Sequence, residues 1–283
     1  MGPVSGLTQV VCPHGTHADL MRSAYFSGNA LVAAAMNQFA DSLGADAVLG
    51  LGDNFYPDGV EGVDDPQFAT KFEDIYTRPA LDIPFYMTLG NHDHAGNILA
   101  QVRYDLENRG SDRWRMPDFF YRFEWDIDSQ TKVELFAVDT QPLVRIEQSP
   151  EAQRQLDSLG VWLRDSKAQW KILFGHIAPY SNGAEHGDNQ ILQQHLVPLM
   201  EQYQVDAGFF GHDHHLEALD PVGGVHYFVS GAGSQTRTMT WGSNTRFATS
   251  SSGFIWAQIT SDQFHVAIIK ATGHVLWRGQ VGE

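Results

Sequence analysis

The stretch "ADAVLGLGDN", residues 45–54, has the pattern from which the rest of the chain can be interpreted. An apolar run of strand length ends in glycine and polar residues, which is typical of a buried strand followed by a loop. The glycine lets the backbone turn sharply and approach a ligand closely. Because ligands of open α/β sheets bind at the carboxyl ends of strands, the polar residues after this strand are candidates for a site.

The same order of residues, an apolar strand, a glycine and then polar residues, occurs at four places. These are "LGDNFY" (51–56), "LGNHDH" (89–94), "FGHIAPY" (174–180) and "FGHDHH" (210–215). Each segment alone has an ordinary explanation, because Gly-Asp is usually a turn and a lone Gly-His is usually a packing histidine. Four of them at four strand ends are hard to attribute to chance, so the sequence predicts one shared site. Its Asp, Tyr, Asn and His side chains suit iron, zinc or manganese better than a soft metal.

Strand patterns alternate with helical patterns along most of the chain. "PEAQRQLDSLGVWLRDS" (150–166) is amphipathic and predicts a helix, and residues 66–77 and 189–203 also have helical character. The last 31 or so residues alternate apolar and polar positions between turns, which indicates antiparallel strands. We find no repeat or linker in the sequence. It therefore predicts one α/β (α+β) domain over 1–283, with residues 1–20 atypical.

Composition narrows the range of partners. The 283 residues carry a formal net charge of −16, which argues against nonspecific nucleic-acid binding and favours an anionic substrate only if metal cations locally reverse the field. No apolar run approaches the roughly 20 residues that span a bilayer, and the first residues lack the pattern of a signal peptide. One cysteine permits no internal disulfide. We expect no nucleic-acid or membrane partner, and the location of the protein stays open.

From about residue 41 onward, the sequence resembles a known family. The segments that carry the resemblance are "LGADAVLGLGDNFYPDGV" (43–60), "GNHDHAGNILAQVRY" (90–104), "AEHG" (184–187), "GHDHHLEALD" (211–220) and "VSGAG" (229–233). They resemble the purple acid phosphatases of the calcineurin-like metallophosphoesterase superfamily, and among these the short tartrate-resistant acid phosphatase branch. The resemblance implies a four-layer αββα sandwich, two mixed β-sheets flanked by helices. It also suggests a secreted, periplasmic or lysosomal protein.

The resemblance assigns metal ligands position by position. Asp53 would bridge two metals, and Tyr56 would bind a ferric ion as a phenolate. His214 would bind the same ferric ion. The second, divalent metal (Fe, Zn or Mn) would be held by three further side chains, those of Asn91, His176 and His212.

The resemblance also implies the chemistry. It predicts a metal-dependent acid phosphatase that hydrolyses small phosphate monoesters by attack of a metal-bound hydroxide, acting as a monomer. His92 would contact the substrate, and His186 would protonate the leaving group or bind phosphate. Two alternatives remain: a phosphodiesterase or nucleotide hydrolase of the same superfamily, and a pseudophosphatase with an impaired first metal site.

One family motif is missing. The family has a Gly-Asp-x-Gly sequence near the N-terminus, whose aspartate ligates the ferric ion, but residues 12–18 here read "CPHGTHA". Residues 7–11 could still form the short strand that leads into it. Three interpretations stay open: His14, His17 or Asp19 substitutes for the aspartate, the ligand is lost, or the first 15 to 20 residues are not the natural N-terminus.

Overall fold

The computed structural model describes residues 7–12 and 22–282. The strands, in chain order, are Leu7–Cys12 (β1), Ala47–Gly50 (β2), Phe85–Met87 (β3), Trp114–Arg115 (β4), Tyr121–Asp126 (β5), Lys132–Ala137 (β6), Trp170–Phe174 (β7), Ala207–Phe210 (β8), Leu216–Leu219 (β9), His226–Ser230 (β10), Thr245–Thr249 (β11), Gly253–Ile259 (β12), Phe264–Lys270 (β13) and Val275–Gln280 (β14). The α-helices are Arg22–Leu43 (α1), Ile98–Leu106 (α2), Thr140–Leu143 (α3), Pro150–Asp165 (α4), Gln190–His195 (α5) and Val197–Gln202 (α6). No helix in these two ranges is long and apolar enough to cross a membrane.

The strands form two mixed sheets of seven strands each. The order in the first sheet is β14-β13-β12-β1-β2-β3-β4, and in the second β11-β9-β10-β8-β7-β6-β5. In the first sheet the parallel pairs are β1-β2, β2-β3 and β3-β4. In the second sheet they are β6-β7, β7-β8 and β8-β10. The remaining pairings are antiparallel, including the predicted antiparallel tail, β12-β13-β14.

Successive side chains of β6 pack on opposite faces of the second sheet, which shows how the layers are built. Val133 and Leu135 pack in the larger core, which also contains side chains of the first sheet and of α1. Phe136, which points to the opposite face, packs in a second core with apolar residues of α4 and α6, such as Leu159 and Met200. The two sheets are therefore stacked face to face with helices outside, and the predicted αββα sandwich is confirmed.

Three helical elements differ from the sequence prediction. Helix α1 was not predicted, although its alanine-rich run buries Val32, Ala33 and Met36 and alanine is the strongest helix former. In residues 66–77 the helical part is short, residues 67–73, and most of it is the π-helical turn Ala69–Glu73. The predicted helix at 189–203 is divided into α5 and α6, with a proline in the first turn of α6.

This topology brings the four predicted loops to one end of the molecule. The first two loops follow β2 and β3, adjacent parallel strands of the first sheet. The other two follow β7 and β8, adjacent parallel strands of the second sheet. Because parallel neighbours end at the same edge, each sheet contributes one pair of loops.

Candidate metal centre

Asp53 lies at the carboxyl end of β2 in an unusual backbone conformation. Its φ is 51°, in the left-handed region, and its side chain is buried. Gly52 before it has a φ of 81°, and a Cβ added there would lie 2.7 Å from the backbone nitrogen of Gly90. The loop after β2 and the loop after β3 therefore touch backbone to backbone. Strained conformations of this kind persist where the surrounding fold holds them, often at functional sites.

The two carboxylate oxygens of Asp53 face different partners. Oδ2 accepts a hydrogen bond from the Tyr56 hydroxyl at 2.7 Å, and this hydroxyl lies 3.2 Å from Nε2 of His214. Oδ1 accepts the backbone N–H of His92 at 2.9 Å and lies 3.3 Å from Nε2 of His176. Asp53 thus stands between a Tyr56–His214 group and a second group around His176, as expected of a bridging carboxylate.

The second group is a convergence of hydrogen-bond acceptors. Nδ1 of His176 is 2.8 Å from the carbonyl oxygen of Leu51, so this nitrogen carries the hydrogen, and in the neutral imidazole Nε2 presents a lone pair. Facing Nε2 are Oδ1 of Asn91 at 3.0 Å, Oδ1 of Asp53 and Nδ1 of His212 at 3.1 Å. Ligands bound about 2.1 Å from one ion lie about 3.0–3.4 Å apart, so these spacings fit a shared cation.

Burial at this site changes the protonation of the ligands. Burial raises the pKa of Tyr56, and the neighbouring Asp53 carboxylate raises it further, so the hydroxyl needs a strong cation to ionise. Burial lowers the pKa of His214 to about 4, so its imidazole is neutral and able to bind metal even at acid pH. Burial also acts to lower the pKa of His176, but the Asp53 carboxylate, the Leu51 carbonyl and Asp93 together outweigh it and raise this pKa.

The remaining predicted site residues lie around this centre. The His92 ring packs against Tyr56, tilted by 40° with ring centroids 4.0 Å apart, and its Nδ1 is hydrogen-bonded to the carbonyl of Pro57. His186 is exposed and stacks on His212 at 3.9 Å. The structure therefore brings both histidines against metal-ligand candidates. His14, His17 and Asp19 lie outside the described residues, so their proposed substitution stays a prediction.

Sequence reasoning missed Asp93, which holds two of the loops together. Its fully buried carboxylate accepts the backbone N–H groups of Gly90 at 2.8 Å, Asn54 at 3.0 Å and Phe55 at 3.2 Å, and the side-chain amide of Gln101 at 2.9 Å. Burial nevertheless raises the pKa of this carboxyl to about 6. The sequence signal that could have identified Asp93 was its position directly after Gly-Asn-His, which contains a candidate metal ligand.

Two more carboxylates hold the loops that carry site residues. Asp213, between the two histidines of "GHDH", accepts hydrogen bonds from the Ser181 hydroxyl at 2.6 Å and the Gly187 N–H at 3.2 Å. These contacts fix both ends of the loop that carries His186. Asp139, at the end of β6, lies 2.8 Å from Nε2 of His94 and so joins the loop after β3 to the second sheet.

Comparisons with known proteins show which sequences and folds this chain resembles. The family model described as calcineurin-like phosphoesterase matches residues 13–216. Tartrate-resistant acid phosphatase type 5 of Homo sapiens is 35% identical over 260 residues, covering 83% of this chain and 79% of that protein. Purple acid phosphatase 3 of Arabidopsis thaliana is 33% identical over 267 residues, covering 87% and 71%.

Two solved structures are similar in fold. GAP50, described as the anchor in the inner membrane complex of Plasmodium, has a TM-score of 0.86 at 22% identity, over 98% of this chain and 88% of that one. The purple acid phosphatase PPD1 from yellow lupin has a TM-score of 0.73 at 14% identity, over 97% of this chain and 53% of that one.

Proposed function

The chain belongs to the calcineurin-like phosphoesterase family and is a metal-dependent phosphatase, and we propose that it hydrolyses small phosphate monoesters at acid pH with a dinuclear Fe(III)–M(II) centre. The observation that carries the proposal is the position of Asp53 between two groups of ligands. One group contains the Tyr56 hydroxyl and the His214 imidazole, and the other is centred on His176.

The ligand chemistry of the two groups differs, which favours two different ions. A buried phenol whose pKa is raised by burial and by Asp53 suits a highly charged cation, so we assign Tyr56 and His214 to the ferric ion. Asn91, His176 and His212 supply one amide oxygen and two imidazole nitrogens, which suit divalent iron, zinc or manganese. When bound, such a pair of ions supplies Lewis acidity toward the phosphoryl oxygens and activates the attacking water.

The protein's own residues would position the ester and complete proton transfer. His92 and His186 lie against different members of the ligand cluster, one against Tyr56 and the other against His212. In these positions both can contact a phosphate bound at the cluster, and an exposed imidazole such as His186 can donate a proton to the departing alkoxide. His214 stays neutral well below pH 6, which supports function in acid.

Metal analysis together with a turnover assay tests the proposal. We expect two metal ions per chain, a visible tyrosinate-to-iron absorption band after iron loading, and turnover of p-nitrophenyl phosphate near pH 5. Substitution of Asn91 by Ala should lower occupancy of the divalent position while the colour persists. Fewer than one metal per chain and no turnover in the wild-type protein would contradict the enzyme assignment, and turnover without the band would contradict the ferric assignment.

A further inference from the structure

A cavity opens between helix α1 and three strands of the first sheet. Its volume is about 430 Å³, within the range of small-molecule sites in proteins. The residues that line it belong to the C-terminal half of α1 and to β12, β13 and β14. The cavity is therefore built on regular elements, which hold the side chains around it in fixed positions.

Strand pairing gathers four functional groups on one side of this cavity. Trp256 of β12 lies opposite Ala267 of β13, which in turn lies opposite Arg278 of β14. Gln258 lies opposite His265 in the next row, two positions along each strand. Because paired residues and residues two positions apart share a face of a sheet, an indole, an amide, an imidazole and a guanidinium all line the same face.

The face in question is the one that α1 covers, and its floor is apolar. The ring centroids of Phe39 in α1 and Trp256 are 5.8 Å apart. Leu43, one turn further along α1, lines the cavity and is 54% exposed. Val275 adds apolar surface from β14. A hydrocarbon group in the cavity would remove this apolar surface from water, which favours binding.

The charge around the cavity has one sign. The described residues that line it include two with basic side chains, Arg278 and His265, and none with an acidic one. Arg278 is exposed and pairs with no carboxylate in residues 7–12 or 22–282. A guanidinium binds a carboxylate with two parallel hydrogen bonds. Its position beside an apolar floor therefore favours a ligand that joins a carboxylate to a hydrocarbon body.

The polar side of the cavity lies away from the metal centre. The loops of the centre follow Gly50 and Met87, the last residues of β2 and β3. Cys12, at the end of β1, pairs with Gly50 there. Gln258 instead pairs with Thr8, near the start of β1. A carboxylate bound beside Gln258 is therefore at the other end of the sheet from the candidate metal ligands.

We propose that this cavity binds an apolar monocarboxylate of about ten carbon atoms, a size that fits its volume. The carboxylate pairs with Arg278, and the hydrocarbon body lies against Trp256 and Leu43. Gln258 and His265 supply further hydrogen-bond donors to the carboxylate. A fatty acid and an aryl carboxylate share this chemistry. The site is separate from the metal centre and does not depend on the proposed phosphatase function.

Calorimetry with decanoate and 2-naphthoate tests the proposal on the metal-loaded protein saturated with inorganic phosphate. Phosphate competes with any carboxylate for the metal centre, so binding that persists belongs to another site. Arg278→Gln should weaken binding of decanoate roughly tenfold and leave binding of uncharged 1-decanol nearly unchanged. Arg154→Gln is the matched control, because this exposed arginine of α4 pairs with Glu151 and should not affect either ligand. Tighter binding of decanoate or of 2-naphthoate distinguishes a fatty acid from an aryl carboxylate.

A second variant tests the cavity itself. Position 267 lies between Trp256 and Arg278, so the ring introduced by Ala267→Phe would fill the space. This variant should lose binding of both acids and of 1-decanol while it keeps p-nitrophenyl phosphate turnover. Absence of binding in the wild-type protein, or equal binding by all variants, would overturn the inference. Arg278-dependent binding in a wild-type protein without turnover would contradict the proposed function alone.

Discussion

Two candidate metal ligands, Asp53 and His212, have backbone conformations that residues with side chains rarely adopt. Their φ angles are 51° and 66°, both in the left-handed region. Each such residue costs on the order of 1–3 kcal/mol, so the fold must hold it in place. One ligand comes from each sheet, and in both cases the side chain follows a glycine at the end of a parallel strand. In these conformations both side chains face His176, Asp53 from the first sheet and His212 from the second.

Replacement of Tyr56 by Phe tests the ferric group. The change removes one oxygen beside Asp53 and leaves the ring that packs against His92. We expect the iron-loaded variant to lose its visible absorption band and part of its iron while the divalent position stays filled. Absorption spectra and metal analysis measure this. Tyr104→Phe, which removes a hydroxyl bonded to Glu73, is the control and should keep the colour. A variant of Tyr56 that keeps the band would contradict the assignment.

The residues that sequence reasoning missed are carboxylates with supporting roles. Asp93, Asp139 and Asp213 have buried side chains and accept hydrogen bonds from loops distant in sequence. An aspartate in a loop motif looks the same in sequence whether it faces solvent or several N–H groups. The candidate metal ligands were named in advance because the family resemblance assigns them position by position, and their binding of metal stays a prediction.

At the scale of elements, the loops at the strand ends supply the site residues, and glycines allow these loops to approach each other closely. The loops after β2 and β3 touch so closely that no side chain fits between them. The strands that end in these loops could be predicted from apolar runs and glycines. Helix α1 could not be predicted in the same way, because its alanines and scattered polar residues give little amphipathic pattern. Strand β4, only two residues long, carries no periodic signal.

Gly52→Ala should therefore disrupt both loops at once. The added Cβ would lie 2.7–2.8 Å from the backbone of Leu89 and Gly90, at a φ of 81°. We expect a loss of about 2–4 kcal/mol in the free energy of unfolding, with weaker metal binding, measured by urea denaturation and metal analysis. Gly62→Ala is the matched control, because a Cβ there meets no atom within 4 Å and its effect should stay within about 0.5 kcal/mol. Equal effects of the two substitutions would contradict the close packing of the loops.

At the scale of the whole molecule, the fold class followed from alternating strand and helix patterns, and the two-sheet architecture followed from the family resemblance. Which strands join which sheet could not be read from periodicity. β12 to β14, the last strands of the chain, return to the first sheet beside β1, so the sheet is completed only when the ends of the chain meet. Long-range pairing of this kind depends on tertiary packing rather than on local sequence.

Asp206 should make global stability depend on pH. Burial raises the pKa of its carboxyl from 3.8 to about 6, although it accepts the Lys171 N–H at 2.7 Å. The folded state therefore binds this proton more tightly than the unfolded state does. The stability gained from the bound proton is lost as pH rises from about 4 through 6. We expect Asp206→Asn to be more stable than the wild-type protein by roughly 2 kcal/mol at pH 8 and nearly equal to it at pH 4, in urea unfolding of metal-free protein. If the two proteins differed equally in stability at both pH values, the raised pKa of Asp206 would be contradicted.

The meeting of two sheets at one centre has a consequence for the chain's topology. Tyr56 and His214, whose side chains touch, are 158 positions apart in a chain with a single cysteine. Ions held by the candidate ligands of both sheets would act as a reversible cross-link that closes this long loop. By the entropy of loop closure, a covalent cross-link over about 100 residues would stabilise a fold by about 4.7 kcal/mol. A chelator would then lower the stability of this fold, as a reducing agent lowers the stability of a disulfide-bonded protein.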